Sequence, residues 1–381
     1  MAVQADPRLV AELETYGAQD VLKCYHCGNC TAVCPFSKEP FIFPRKSMRY
    51  LQMGLRDKLK ANLEPWLCYY CGECSEQCPR EAEPGETMMS MRRWLTAQYD
   101  FTGISNLLYR SWYAELAGIL IIAALTGLGF WKFGSSVGDI HVYDGPRAFL
   151  PTMAIHHFDW IMGSVLGALL LINCLRMWWM TMGRDKRIGA TPAMYANRAW
   201  LILLHFFTQK RYSECDKKAP WRLHIFLMLS YVSMLVLIMF FLPLMQAGPE
   251  INWAVHALGY AATAGLLVTV AMALWGRMKK SQTHYKHSHE TDWIYLIMLF
   301  YVGTTGILQH ALHRFGLPYQ ANVVYLAHLM GVVPMLVLEV PFSKWAHMCY
   351  RPLAMYFSQV QMDAIAEREK SALALPGTQS A

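Results

Sequence analysis

Three observations predict an all-α chain: a cysteine-rich domain followed by a six-helix membrane bundle. Eight of the 11 cysteines fall between Cys24 and Cys78, in two runs of identical spacing. Apolar residues make up 55% of the chain and charged residues only 16%, too apolar a balance for an ordinary soluble protein. From Trp112 onward six apolar segments recur, each about long enough to cross hydrocarbon as a helix. The predicted division is a first domain over 1–105, a membrane domain over 106–350 and a tail over 351–381.

The first run reads Cys24-x2-Cys27-x2-Cys30-x3-Cys34-Pro35, and the second Cys68-x2-Cys71-x2-Cys74-x3-Cys78-Pro79. This is the ligand spacing of a bacterial ferredoxin with two [4Fe–4S] clusters. Thiolates two residues apart on a tight turn reach three corners of one cubane, and the fourth cysteine reaches the other cluster. The assignment is therefore Cys24, Cys27, Cys30 and Cys78 for one cluster, and Cys68, Cys71, Cys74 and Cys34 for the other. Zinc needs four ligands per site and does not call for a doubled run with its prolines. Disulfides need an oxidising compartment. The remaining cysteines, Cys174, Cys215 and Cys349, are scattered and read as inert.

Around these runs the pattern is helical. Residues 1–23 predict a short amphipathic helix with Val10, Leu13 and Tyr16 on one face. The same stretch carries Asp6, Arg8, Glu12, Glu14 and Asp20 and no apolar core, so no signal peptide is expected and the N-terminus is placed in the cytoplasm. Residues 45–61 read as one basic amphipathic helix, with Met48, Leu51, Leu55 and Leu59 recurring at helical spacing. A core-facing stripe with a solvated basic face explains it; a docking face for an acidic partner is the sharper reading. Glu86 to Gln98 predicts a helix leading out of the domain.

The six apolar segments lie at roughly 112–133, 153–175, 222–245, 253–275, 292–313 and 323–345. Loop 183–222 carries Arg184, Lys186, Arg187, Arg198, Lys210, Arg211, Lys217, Lys218 and Arg222, and loop 276–291 carries Arg277, Lys279, Lys280 and Lys286. The opposite loops hold only Arg147 and Arg314. The positive-inside rule places the two basic loops in the cytoplasm, and an even number of spans then leaves both termini there. The 13 Trp and 24 Met suit a membrane domain with aromatic ends and adaptable packing. The net charge of +7 fits loops that face anionic lipid. Within loop 183–222, residues 193–207 predict an interfacial helix, and His205 on it reads as interfacial rather than as a ligand. The tail from 351 turns polar, with charges near Glu367–Lys370 and then Pro376-Gly377, and predicts a short surface helix followed by disorder.

Histidines in the apolar segments point to haem, because imidazole is the usual axial ligand of a b-type haem. No C-x-x-C-H run is present, which excludes c-type attachment. His224 opens the third segment and His347 closes the sixth, both at the basic-loop end, where they pair on an inner haem. His328 lies near the outer end of the sixth segment, about 28 Å from His347 along one helix, and serves an outer haem. His310, at matching depth on the fifth segment, is its first candidate partner; His157 and His256 come next, and His156 is also near an outer end. For each histidine the bland reading is a helix-end residue bonded to backbone or water. Glu339, near the inner end of the sixth segment, is either a proton relay in quinone chemistry or a structural partner for a Lys, an Arg or a haem edge. Pro334 and Pro341 predict a bend in that helix.

Residues 1–100, with both cysteine runs, resemble the C subunit of heterodisulfide reductase. From about residue 153 the chain resembles the gamma subunit of respiratory nitrate reductase and the related E subunit of heterodisulfide reductase. The local match is Val340-Pro341-Phe342-Ser343-Lys344-Trp345-Ala346-His347, similar to the end of the gamma subunit's last haem-bearing helix. His328 and His347 match its pair of histidines that serve different haems, and His224 matches the inner histidine of the partner helix. Ten residues after His224, where that family has its second histidine, Met234 stands. The fusion of the two modules resembles the C subunits of quinone-interacting membrane-bound oxidoreductases of sulfate reducers. That resemblance implies cytoplasmic flavoprotein and iron–sulfur partner subunits, two b haems, a menaquinone pool and adenylylsulfate reductase as onward partner.

The reading is an electron-transfer subunit between a membrane quinone and soluble redox partners, not catalytic on a soluble substrate by itself. No nucleophile–base set, phosphate loop or nicotinamide fingerprint appears, and the basic run at 45–61 is too short for nucleic-acid binding. The alternatives are a heterodisulfide reductase-like complex with another acceptor, and a membrane redox anchor or sensor.

Overall fold

The computed structural model describes residues 4–133, 152–215, 217–246, 252–280 and 282–373. Arg147, Pro376 and Gly377 lie outside the described residues. Among these the chain is helical throughout, with only an isolated antiparallel bridge between Lys38 and Phe41. It divides into two compact units. The first gathers Met1–Asn106, Ile172–Lys218 and Ala346–Ala381; the second gathers Leu107–Leu171 and Ala219–Trp345.

The first unit is thus built from three separated stretches of chain. Its N-terminal helix, Leu9–Glu14, buries Leu9 and Leu13, and Tyr16 just beyond it is buried too, so the buried face runs through Leu9 rather than Val10. The expected single helix over 45–61 is two helices, Arg45–Gln52 and Arg56–Lys60. Gly54 breaks it at φ +68°, and its carbonyl accepts the Asp6 N–H at 2.8 Å. An added Cβ there would strike the Asp6 backbone. Arg56, just past the break, holds both Asp6 and Glu12. The stripe residues Met48, Leu51, Leu55 and Leu59 are all buried, as a core-facing stripe requires.

Pro84–Tyr99 is the central helix of this unit, started by Pro84 in its first turn. Its Trp94 and Tyr99 are fully buried. Tyr99 packs with Trp66 and with Tyr350 of the last helix, the Tyr350 ring lying 5.2 Å from Trp66 and 5.3 Å from Tyr99. Such aromatic pairs add about 0.5–1.5 kcal/mol beyond area burial. The tail is therefore no short surface helix. His347–Leu373 is one long helix with Tyr350, Ala354, Met355, Tyr356, Phe357, Val360 and Ala364 buried. Arg198 ties it down through Asp363, at 2.6 and 2.9 Å. The expected interfacial helix at 193–207 is likewise split, into Pro192–Arg198 and Trp200–Thr208.

Among the described residues, six helices are long and apolar enough to cross a membrane: Trp112–Phe130, His156–Gly183, Lys218–Phe241, Trp253–Lys279, Glu290–Arg314 and Pro318–Phe342. They correspond in order to the six predicted segments. Around Leu266, Val270, Leu296, Leu299 and Met335 three of them meet, and Leu227 and Tyr231 of the third pack on that cluster. The sixth helix departs from expectation at both ends. It begins at Pro318, where proline suits a first turn, and stops at Phe342, where Ser343 leaves helical geometry. A 3-10 turn, Lys344–Ala346, follows before the last helix begins at His347. His347 therefore does not close the sixth span, and the 28 Å helical rise from His328 does not apply. Pro334 and Pro341 both lie inside the helix.

Candidate functional site: two groups of four thiols

The two cysteine runs fold into the same backbone. His26 and Tyr70 take φ +58° and +56°, and Gly28 and Gly72 take +91° and +92°. In each run the N–H two residues on points at the first sulfur: His26 N–H at Cys24 Sγ, 3.4 Å, and Tyr70 N–H at Cys68 Sγ, 3.3 Å. A one-turn helix follows each glycine, Asn29–Ala32 and Glu73–Glu76. The left-handed φ values turn the chain tightly enough for the next two thiols to swing back toward the first; glycine takes that region without strain. Asn29 donates to the Gln77 carbonyl at 2.6 Å, joining the start of one run to the end of the other. Gln52 clamps the first loop by donating to the carbonyls of Val21 and Cys24, at 2.7 and 3.3 Å.

The thiols fall into two electrostatic neighbourhoods that cross between the runs. Burial first, and then Cys24, Cys78 and Cys27, push the Cys30 thiol up to about 11 against the opposing Thr31 hydroxyl. Burial first, and then Cys68 and Cys71, push Cys34 up to about 12. Cys74 is raised by burial and by Cys68, Cys71 and Cys34, with Cys30 last. Crowded, buried thiols hold their protons until a cation replaces them. The donor set, the paired turns and the N–H groups aimed at sulfur fit two iron–sulfur clusters. Among the described residues no three His, Cys, Asp or Glu side chains gather closely enough for one metal ion, whereas the corners of a cubane lie further apart.

Three arginines collar the second group. Arg92 donates to the carbonyls of Pro65, at 2.6 Å, and Cys68. Arg351, on the last helix, donates to the same Cys68 carbonyl at 2.9 Å and lies 3.8 Å over the Tyr69 ring. Arg211 donates to the Phe36 carbonyl at 3.1 Å. Burial, and then Arg351, bring Arg92 down to about 9. A permanently charged group this buried needs negative charge close by, which the Cys68 group supplies once its thiols give up their protons to a cation. Sequence reasoning missed this collar, because Arg211 and Arg351 come from outside the first domain. It also missed Cys215, whose side chain hydrogen-bonds Cys71 and, as the leading cause, brings that thiol down to about 7.

The histidines sort unevenly. His328 has its Nδ1 3.0 Å from Thr305 Oγ1 and its ring against Tyr325. Gly306 leaves room for it: a Cβ there would approach His328 Cε1 to 3.3 Å. That support at Nδ1 fits axial ligation through Nε2. His310 faces Tyr260, whose hydroxyl lies 2.8 Å from its Nε2, and His256, at 5.4 Å between ring centroids. Both ring nitrogens of His256 are engaged, Nδ1 with the Asn252 carbonyl at 3.0 Å and Nε2 with Arg314 at 3.1 Å, which argues against it as a ligand. His157 is exposed on the second span. His224 is part of the second unit and His347 of the first. Met234 sits 3.6 Å from the Thr263 hydroxyl. Burial, and after it Arg211, Lys210 and Arg351, bring His205 down to about 4.

The 4Fe-4S dicluster domain family matches residues 20–82. Over 111 residues the chain is 32% identical to a protein of Archaeoglobus profundus that is named as like the C subunit of heterodisulfide reductase, an alignment covering 29% of this chain and 59% of the relative. The chain thus spans less than two thirds of that relative's length. No solved structure matches. The chain carries an iron–sulfur domain of electron-transfer type together with six helices fit to cross a membrane.

Proposed function

We propose that the chain is the membrane subunit of an oxidoreductase complex, passing electrons between menaquinone and soluble flavin and iron–sulfur subunits. The observation that carries this is the joining, in one polypeptide, of two four-thiol groups with six apolar helices. Two [4Fe–4S] clusters, held by Cys24, Cys27, Cys30 and Cys78 and by Cys68, Cys71, Cys74 and Cys34, together with two b haems, supply one-electron chemistry. The Arg92–Arg211–Arg351 collar favours negative charge on the Cys68 group and so raises its affinity for an electron. In the membrane unit, Thr305 fixes the tautomer and aim of His328 for the outer haem. His310 is its first candidate partner. The iron–sulfur domain and both termini are placed in the cytoplasm, because the basic loops follow the positive-inside rule. By resemblance to the quinone-interacting oxidoreductases of sulfate reducers, the onward acceptor is adenylylsulfate reductase.

The test is a reduced-minus-oxidised absorption spectrum of the detergent-purified protein, with haem counted per chain and a menaquinol analogue as reductant. Two b haems reduced by the quinol are expected. Absence of haem overturns the membrane half of the reading.

A further inference from the structure

The second unit contains an arrangement that simple electron transfer does not use. Glu115, in the first turn of the first span, lies against Glu339, near the end of the sixth: a Cβ on Gly118, one turn further on, would stand 3.3 Å from Leu338, and the two carboxyls face each other. They are 0% and 2% exposed. Neither Glu115 oxygen receives a hydrogen from any donor among the described residues, and beside Glu339 Oε1 the Ser343 hydroxyl is the side-chain donor at hand. Two acceptors in contact in a buried place cannot both be bare. A proton between them turns the repulsion into a hydrogen bond.

The charges around the pair favour one proton on it. Glu339 Oε2 accepts the Lys344 backbone N–H at 2.9 Å. The Lys344 ammonium pairs with Asp292 and lies 5.3 Å over the Tyr109 ring. Arg277 stands 3.9 Å from the other Asp292 oxygen. The Tyr231 and Tyr295 side chains are partly buried on the same side of Glu339. Lys344 and Arg277 carry two positive charges and Asp292 one negative, so the group is neutral when the two glutamates hold one proton between them. All five charged residues lie at one end of their helices: the starts of the first and fifth, the ends of the fourth and sixth, and the turn after the sixth.

We infer that Glu115 and Glu339 form a proton-exchanging carboxyl pair, singly protonated at rest, that takes up a second proton from the aqueous phase when an electron enters the membrane unit. The step balances: one electron adds one negative charge to the unit, and one proton, arriving at the pair, adds one positive charge. The site therefore moves protons at the end of the bundle that carries Arg277 and Lys344. The coupling to electron entry rests on the proposed quinol-linked function; the shared proton does not.

The experiment uses the full chain in detergent. First, infrared spectra in ordinary and heavy water at neutral pH should show a protonated carboxylic acid band that both Glu115→Gln and Glu339→Gln abolish, since each leaves a lone carboxylate accepting from an amide. A wild-type spectrum without that band, or a band that survives both substitutions, overturns the shared proton. Using two variants guards against one failing to fold. Second, electrochemical reduction through a mediator that binds no protons, in weak buffer and followed with a pH dye, should take up protons in the wild type and fewer in either variant. Equal uptake in all three overturns the coupling. Electrochemical reduction with the band and uptake intact, but no reduction by a menaquinol analogue, would sink the quinol-linked reading and leave the carboxyl pair standing.

Discussion

The thiol of Cys215 lies against the thiol of Cys71, which sets that cysteine apart from its counterpart Cys27 in the first run. Hydrogen bonds to cluster sulfurs raise the reduction potential. Replacing Cys215 with Ala should therefore lower the potential of the Cys68-side cluster by roughly 20–60 mV, the equivalent of the ~0.5–1.5 kcal/mol of one hydrogen bond. Iron content should stay unchanged. Redox-titrated electron paramagnetic resonance reads the shift. Loss of a whole cluster would instead make Cys215 a ligand.

The crossing of the two runs makes a sharper prediction. Cys78→Ala should remove the cluster held by Cys24, Cys27 and Cys30, leaving about half the iron and sulfide and the Cys68-side signal intact. If each run held its own cluster, the same change would erase the other signal. Iron and sulfide analysis with low-temperature resonance of the reduced protein separates the two outcomes.

Gly54→Ala should destabilise the first unit by about 1–3 kcal/mol, the cost of forcing a side chain into a left-handed conformation, here with the Asp6 backbone in its way. The visible absorbance of the clusters should then bleach at a lower temperature than in the wild type. No change in the bleaching temperature would mean that the turn relaxes freely.

His205 gives the first unit a pH dependence of defined sign. Its pKa falls from 6.5 to about 4, chiefly through burial and then through Arg211, Lys210 and Arg351. The unfolded chain binds this proton more readily than the folded one. The stability is present above pH 6.5, falls as the pH drops toward 4, and levels off below that. The loss amounts to roughly 3–4 kcal/mol at about 1.4 kcal/mol per pH unit. His205→Gln should flatten the denaturation midpoint across that window. A slope equal to the wild type's would assign it to other groups.

The parts of the molecule that are legible in the sequence are those with a local period. The cysteine runs declare themselves by spacing, and the six apolar helices by length. The buried stripe Met48, Leu51, Leu55 and Leu59 is helical in period, yet Gly54 hides a break inside it that only the contact with Asp6 explains. The sixth helix ends earlier than its pattern suggests, because Trp345 and Ala346 are apolar enough to continue it while Ser343 turns away. Nothing local announces the Glu115–Glu339 pair, the Cys71–Cys215 contact or the Arg351 collar. Each joins residues far apart in the chain, and no alternation or spacing encodes a tertiary meeting.

The first unit draws on the chain before, between and after the apolar helices. Tyr350 completes the aromatic nest around Trp66 and Tyr99, and Arg351 completes the collar at Cys68. Both are translated after all six apolar helices. During synthesis the cysteine runs emerge first, yet their lining stays unfinished until the last helix leaves the ribosome. Insertion of the membrane helices thus comes before closure of the iron–sulfur unit, and a nascent chain stalled within the sixth helix would carry its cysteines exposed.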